Sequence, residues 1–236
     1  MTQPIHHNSQ GVHSPSSRVS YSVDDFQKLL AGQPLGSEAT MELVEGEVCH
    51  LPKNEQLTRQ IRLLQLQIQQ HLDGVQQGVF DVRSRPALLI HSSCELKPAI
   101  VVFTKELGQA AAQSVGMRMS QDEFQYQDLQ IQWVIDIAEE GLNQPHTQRS
   151  QLYGQAGIAD YWSVTVAQSE VRTYHEPLST GYRHCQLFQV GDAACPSTIA
   201  EITLQVQESL PLYFLTRTLS GQRVYGSVAL PLKILA

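Results

Sequence analysis

The run Ile100-Val101-Val102-Phe103 constrains this chain more than any other feature. Four successive apolar residues, three of them β-branched, read as a strand buried on both faces, because in a strand neighbouring side chains point to opposite sides. A second run, Leu129 to Ile137 centred on Trp133-Val134-Ile135, has the same character. Two such strands need layers above and below them. An α/β or α+β domain with a central mixed sheet flanked by helices satisfies that need.

The covering layers are legible elsewhere in the chain. Leu57, Ile61, Leu64 and Ile68 recur at helical spacing, with Gln and Arg between them, and predict an amphipathic helix ending near residues 72–74. Ser22 reads as an N-cap before Asp24, Asp25 and the apolar Phe26, Leu29 and Leu30, a short helix with acids in its first turn. Arg149, Leu152, Tyr153 and Ala156 form a further helical stripe, closed by Gly157. Met41 to Val48, with Glu45-Gly46 at its centre, predicts a hairpin. Strands are expected at 79–82, 87–90, 161–166, 171–174 and 182–190. Residues 105–127 give no clear pattern.

Composition removes several function classes. Hydrophobic residues make up 42% of the 236 and charged residues 17%, enough for a core and unlike a disordered chain. No apolar run approaches the roughly 20 residues that cross a bilayer. The polar N-terminus, with Pro4, His6, His7 and Ser14, lacks the apolar stretch of a secretory signal, so a cytoplasmic location is expected. Residues 1–19 read as a disordered arm, 20–220 as the folded domain and 221–236 as a C-terminal tail. The net charge of −7 and the absence of any Lys/Arg run argue against a broad phosphate-binding surface. Cys49, Cys94, Cys185 and Cys195 form no C-x-x-C pair, and a zinc site would want closer Cys and His pairing, so free and mostly buried thiols are expected.

The order of these features resembles one family. Tyr21 to Phe26 is similar to the opening helix of the Uma-two family of restriction-endonuclease-like proteins, inside the PD-(D/E)XK superfamily. Met41-Glu42-Leu43-Val44-Glu45-Gly46-Glu47-Val48 resembles its "ELIDGEL" hairpin, and Lys97-Pro98-Ala99-Ile100-Val101-Val102 its "RPDVAVV" strand. Trp133-Val134-Ile135-Asp136-Ile137 resembles "LVVEV". The segment from Arg149 to Trp162, with Tyr153, Ala156, Gly157, Tyr161 and Trp162 in step, resembles "KxxxYxxAGVPEYW". The likeness covers residues 20–215.

The resemblance implies a restriction-endonuclease-like fold, DNA as partner, pairing as a homodimer, and phosphodiester hydrolysis by magnesium held on carboxylates. Magnesium takes hard oxygen ligands and polarises the phosphoryl group. Carried over position by position, Glu42 matches the hairpin Glu, Ala99 stands where the family has Asp, Asp136 where it has Glu, and Arg149 where it has Lys. A methyl group cannot ligate a metal. Asp136 reaches about 1.5 Å less than a Glu, one C–C bond. Arg149 stays positive but cannot serve as a base near neutral pH. Glu42 and Asp136 are therefore the remaining metal-ligand candidates, and Glu42, Asp136 and Arg149 a vestigial catalytic set.

Two functions follow as expectations. One is a catalytically inactive nuclease fold kept as a nucleic-acid-binding or interaction module, with no cofactor. The other is an active magnesium-dependent endonuclease with a rearranged site. Arg149 is expected to point at Asp136, and Lys97 is a candidate source of positive charge beside Ala99. Glu95, four strand residues or about 13 Å from Ala99, is expected to lie too far away to replace the missing Asp.

Overall fold

In the computed structural model, the described residues are 19–33, 41–51, 53–104, 116–118, 130–138, 146–199, 201–206, 213–214, 216–217 and 223–224. The arm expected at 1–19 and the tail expected at 221–236 lie outside them, apart from residue 19 and Arg223–Val224. So does most of the stretch 105–127 that gave no clear pattern. Glu139 and Glu140, which follow the strand through Asp136, also lie outside.

The central layer is a mixed sheet of six strands. Numbered along the chain, these are β3 (Phe80–Ser84), β6 (Ile100–Thr104), β8 (Gln130–Ala138), β9 (Asp160–Thr165), β10 (Glu170–Leu178) and β11 (Gly181–Phe188). Their order across the sheet is β11-β10-β9-β8-β6-β3. Every pairing is antiparallel except β8 with β9. That one parallel step needs a crossover, and helix α3 (His146–Gln155) lies on it. Both apolar runs sit in the middle of the sheet, on β6 and β8, as buried neighbours.

A second sheet is antiparallel throughout. It contains β1 (Met41–Val44), β2 (Glu47–His50), β4 (Ala87–His91), β5 (Cys94–Leu96) and β7 (Gly116–Arg118), in the order β2-β1-β5-β4-β7. The sequence reading gave its strands β1, β2 and β4 but missed β5. That strand has three residues, too short for periodicity to register. Helix α1 (Val23–Ala31) packs Phe26 against Met41 and Leu43 of this sheet. Ser22 accepts from the Asp25 amide, as an N-cap should.

The two faces of the six-stranded sheet differ in what covers them. On one, Leu57, Ile61, Leu64, Ile68 and Leu72 of α2 (Glu55–Val75) pack on Ile100, Val102, Trp133, Ile135 and Trp162. Trp133 and Trp162 meet edge to face at 4.7 Å between ring centroids. The glutamines between the apolar residues of α2 have a task of their own. Gln69 donates to Phe80 O (3.2 Å) and accepts from Val82 N (2.9 Å), and Gln65 donates to Val82 O (2.9 Å). They satisfy main-chain groups of β3, an edge strand that would otherwise present them bare. On the other face Leu152 and Tyr153 of α3, with Ala156 just after it, meet Val101, Phe103, Val134 and Tyr161, and the second sheet adds Val44, Leu88, Ile90 and Leu96.

Among the described residues no helix is long and apolar enough to cross a membrane. Two of the four cysteines depart from expectation. Cys94 is buried, but Cys185 lies exposed on the edge strand β11 and Cys195 is exposed on a loop. The middle of β11, residues 183–187, is exposed along this edge strand.

Helix α3 approaches the turn between β10 and β11 closely enough that Gly154 has no room for a side chain. A Cβ there would collide with the main chain of Gly181, including its carbonyl oxygen. Alanine normally favours a helix over glycine by about 1 kcal/mol. Here the sign reverses. Gly154→Ala is expected to destabilise the fold by about 1–3 kcal/mol, the range for overpacking a rigid contact. A urea midpoint that rises in Gly154→Ala would refute this contact.

Candidate functional site

Asp136 is a carboxylate in the middle of an apolar strand. By alternation it shares a sheet face with Val134, the side that α3 covers. Arg149 lies in the first turns of α3, four residues before Tyr153, so the two stack along one side of the helix. Glu42 comes from β1 of the second sheet. Two consecutive elements and one distant in sequence thus deliver two acids and one guanidinium to a single point.

The geometry is close. Arg149 Nε donates to Asp136 Oδ2 at 2.7 Å and Nη2 to Oδ1 at 3.1 Å, a two-pronged pair. Nη1 donates to Glu42 Oε1 at 2.7 Å, and Nη2 also reaches the Tyr153 hydroxyl at 3.1 Å. The other Glu42 oxygen accepts from the main-chain N–H of Lys97 at 3.1 Å. The three charged side chains are 2–4% exposed. Burial works against the charge of Arg149, but the facing Asp136, Tyr153 and Glu42 outweigh it and hold the guanidinium protonated well above its usual range. Fork geometry and charge assistance make this the strong form of the interaction.

Ala99 lies immediately before β6. The register Ile100↔Ile135, carried back one residue, sets it alongside Asp136. It is buried and packs with the cluster around α2. The other residues weighed for this site fall as follows. Lys97 reaches Glu42 through its main-chain N–H. Glu95 pairs across β1 with Leu43, so it faces α1, and both its oxygens accept from Gln27 (2.8 and 2.9 Å). Glu42, one residue along β1 from Leu43, faces the opposite way. Sheet alternation therefore keeps Glu95 out of the cluster. Asp160, in the segment that follows α3, is buried and bound by Ser197 Oγ, Thr198 N and Thr198 Oγ1, each at 2.9 Å. It anchors a loop.

The fit to magnesium can be read from these bonds. A cation of that kind needs free carboxylate oxygens and retained water. Here both Asp136 oxygens and one Glu42 oxygen already bind the guanidinium, and the second Glu42 oxygen holds an amide. Ala99 offers no donor. The residues present do not fit the ion.

Residues 23–207 match the Uma2 family, described as "Putative restriction endonuclease". The chain belongs to this family. A crystal structure of a putative nuclease of DUF820 from Anabaena variabilis shares the fold, with TM-score 0.51, 17% identity, and coverage of 78% of this chain and 94% of that one. No curated protein matches. The Uma2 assignment accords with the mixed α+β architecture described above.

A second group of side chains went unseen in the sequence. Glu45, His91 and Cys94 meet where the β1–β2 turn abuts the β4–β5 turn. The signal available was the spacing His91-x-x-Cys94 across a tight turn, a single close Cys and His pair whose third member, Glu45, lies 46 positions away.

Two measurements test the buried triad. Arg149→Met leaves two buried carboxylates unpaired and is expected to cost about 3–5 kcal/mol. Adding Glu42→Leu and Asp136→Leu to that variant should recover most of the loss in urea unfolding, since removing all the charges leaves nothing uncompensated. A triple variant as unstable as Arg149→Met would contradict this account.

The tyrosines around the helix give a pH dependence. Burial raises Tyr153, Tyr161 and Tyr182 well above the ordinary phenol value, and raises Tyr174 to about 12, with Cys185 adding to it. These phenols stay neutral in the folded chain where the unfolded chain would ionise them. The unfolded state then binds fewer protons, so stability is fully present below about pH 10 and falls as pH rises toward the folded values. Ultraviolet titration of the native protein should show these tyrosines ionising only with unfolding. Full tyrosinate absorbance near pH 10 in a folded sample would be incompatible with their burial.

Proposed function

We propose that this chain is a non-cleaving member of its family, retained as a nucleic-acid-binding or interaction module. The observation that carries the reading is the Arg149 guanidinium seated between Asp136 and Glu42, using the oxygens a metal would need. A buried arginine cannot yield its proton to act as a base. With no metal ligated, the charge stabilisation that a divalent ion supplies to phosphoryl transfer is missing, and that stabilisation is worth several kcal/mol. Each such kcal/mol matters, because about 1.4 kcal/mol is a factor of ten in rate.

Support for the nucleic-acid branch comes from Arg85. It follows β3 directly, and its main-chain N–H donates to Ala99 O at 3.0 Å, beside the position that carries Asp in the family. Its side chain is half-buried, and among the described residues its Nε has no partner. Burial lowers its pKa, and among the described residues no carboxylate offsets the effect. A phosphate is the kind of group that would offset the charge of this half-buried guanidinium.

Plasmid nicking with magnesium or manganese tests the catalytic half. No cleavage is expected above an Asp136→Ala control. Ala99→Asp alone should stay inactive, because Arg149 still fills the site. Ala99→Asp combined with Asp136→Glu and Arg149→Lys is expected to gain metal-dependent nicking. Wild-type cleavage above the control would end the non-cleaving reading. Fluorescence anisotropy with duplex DNA tests the other half: binding should weaken in Arg85→Ala, and equal binding by both proteins would remove the support drawn from Arg85.

A further inference from the structure

The cluster of Glu45, His91 and Cys94 lies outside the triad and is independent of it. Their candidate ligand atoms lie within 4.8 Å of one another. Each belongs to a different chemical type: a carboxylate oxygen, an imidazole nitrogen and a sulfur. We propose that Glu45, His91 and Cys94 form a binding site for a thiophilic divalent cation, with zinc as the ion that fits best.

The chemistry of the donors selects the ion. Sulfur and imidazole together favour zinc and neighbouring late transition metals, and they disfavour magnesium and calcium, which prefer oxygen throughout. Three protein ligands leave the fourth tetrahedral position to water. Tetrahedral zinc, with Zn–S and Zn–N distances of about 2.3 and 2.0 Å, sets its ligands roughly 3.3–3.6 Å apart, so the 2.7 Å contact of Glu45 with His91 must open while the group as a whole, spread within 4.8 Å, tightens. The exposed Glu45 and His91 side chains, at 49% and 41%, can make that adjustment, and they leave an entry path from solvent. Cys94 is fully buried and forms the floor.

The scaffold under the three residues is firm. The β1–β2 turn and the β4–β5 turn abut, joined by Gly46 N to Ser93 O at 2.7 Å. The chain entering α1 locks both, through Tyr21 N to Gly46 O (2.9 Å) and Val23 N to Ser92 O (2.8 Å). A register shift in the β4–β5 pairing between Leu89 and His91 precedes the turn, and His91 pairs with Cys94 across it. Sites held on rigid elements bind with less reorganisation.

The Glu45 backbone adds an independent observation. Its φ is 51° and that of Gly46 is 82°, so both central turn residues are left-handed. Hairpin turns of this kind favour Asn, Asp or Gly at the first position. Glu there is strained, and strain of this kind concentrates at functional positions. The longer side chain has one evident use here, which is to reach His91: Glu45 Oε1 lies 2.7 Å from Nε2.

The proton balance is simple. In the metal-free chain Ser93 N–H faces His91 Nδ1 at 3.4 Å, which places the ring proton on Nε2 and directs it at Glu45. Zinc taking Nε2 moves that proton to Nδ1, which gives up the long Ser93 N–H contact and donates instead to the Ser93 hydroxyl, 3.3 Å away. The Cys94 thiol loses its proton to solvent as the Zn–S bond forms. One proton is released per ion, and nothing is oxidised or reduced. Burial pushes the Cys94 thiol up to about 12, against a hydrogen bond from the Glu45 main chain that favours the thiolate, and a bound ion would supply further positive charge.

Cobalt substitution of the full-length protein, followed by zinc titration, tests the site. Co(II) on a thiolate gives a sulfur-to-metal charge-transfer band, which histidines of the N-terminal segment cannot produce. The expected result is one such band per chain, lost in Cys94→Ser and displaced by one equivalent of zinc. His91→Ala, a surface change that leaves the fold intact, should also abolish it. Glu45→Gln should weaken zinc binding, and Ser93→Ala should weaken it about tenfold, as loss of a supporting hydrogen bond does at other zinc sites. A cobalt spectrum without the thiolate band, or one unchanged in His91→Ala, overturns the proposal.

Discussion

The buried guanidinium of Arg149 is the joint of this molecule. It binds β8 of the central sheet, β1 of the second sheet and its own helix α3 through one planar group. Without it the two sheets would meet at a pair of desolvated carboxylates. Coulomb repulsion between like charges is strongest where water is excluded, so that arrangement would not hold. The aromatic packing of Tyr153 on Tyr161 at 4.8 Å follows from the same placement, since both Arg149 and Tyr153 project from one side of α3. The cation settles the position of the helix, and the helix settles the only parallel strand pairing of the central sheet.

How much of this was legible in the sequence depends on the distance over which each signal acts. Helix α2 could be read because its apolar residues repeat from Leu57 to Leu72, over about four turns. Strands β6 and β8 could be read because continuous apolar runs of that length have few other solutions. Helix α3 carried a weaker pattern, since two of its buried positions, Arg149 and Ser150, are polar. Its place was clearer from the resemblance around Tyr153 to Trp162 than from periodicity. The second sheet as a unit was not legible. Its strands have three to five residues, and their pairing joins segments far apart in the chain.

The site divides along the same line. Arg149 and Asp136 lie 13 positions apart, on consecutive elements, and their meeting was expected. Glu42 lies 107 positions from Arg149, and only the family likeness put it in the same set. Arg149 supplies the positive charge at Asp136, as expected, and Lys97 adds its main-chain N–H to Glu42. No periodicity could show that, because a main-chain N–H belongs to every residue but proline. The cluster of Glu45, His91 and Cys94 was hidden for a related reason. It forms where two turns abut, and neither turn contains the whole of it.

The triad also changes what holds the fold in thermodynamic terms. A bound ion stabilises a protein by mass action, so its contribution rises and falls with the free concentration of that ion. Arg149 is a cation attached by its own backbone. It cannot dissociate from the folded chain, be chelated, or be exchanged for a competing metal. The two carboxylates therefore stay neutralised at a strength fixed by the sequence, and at this point the stability of the fold is uncoupled from the ionic composition around it.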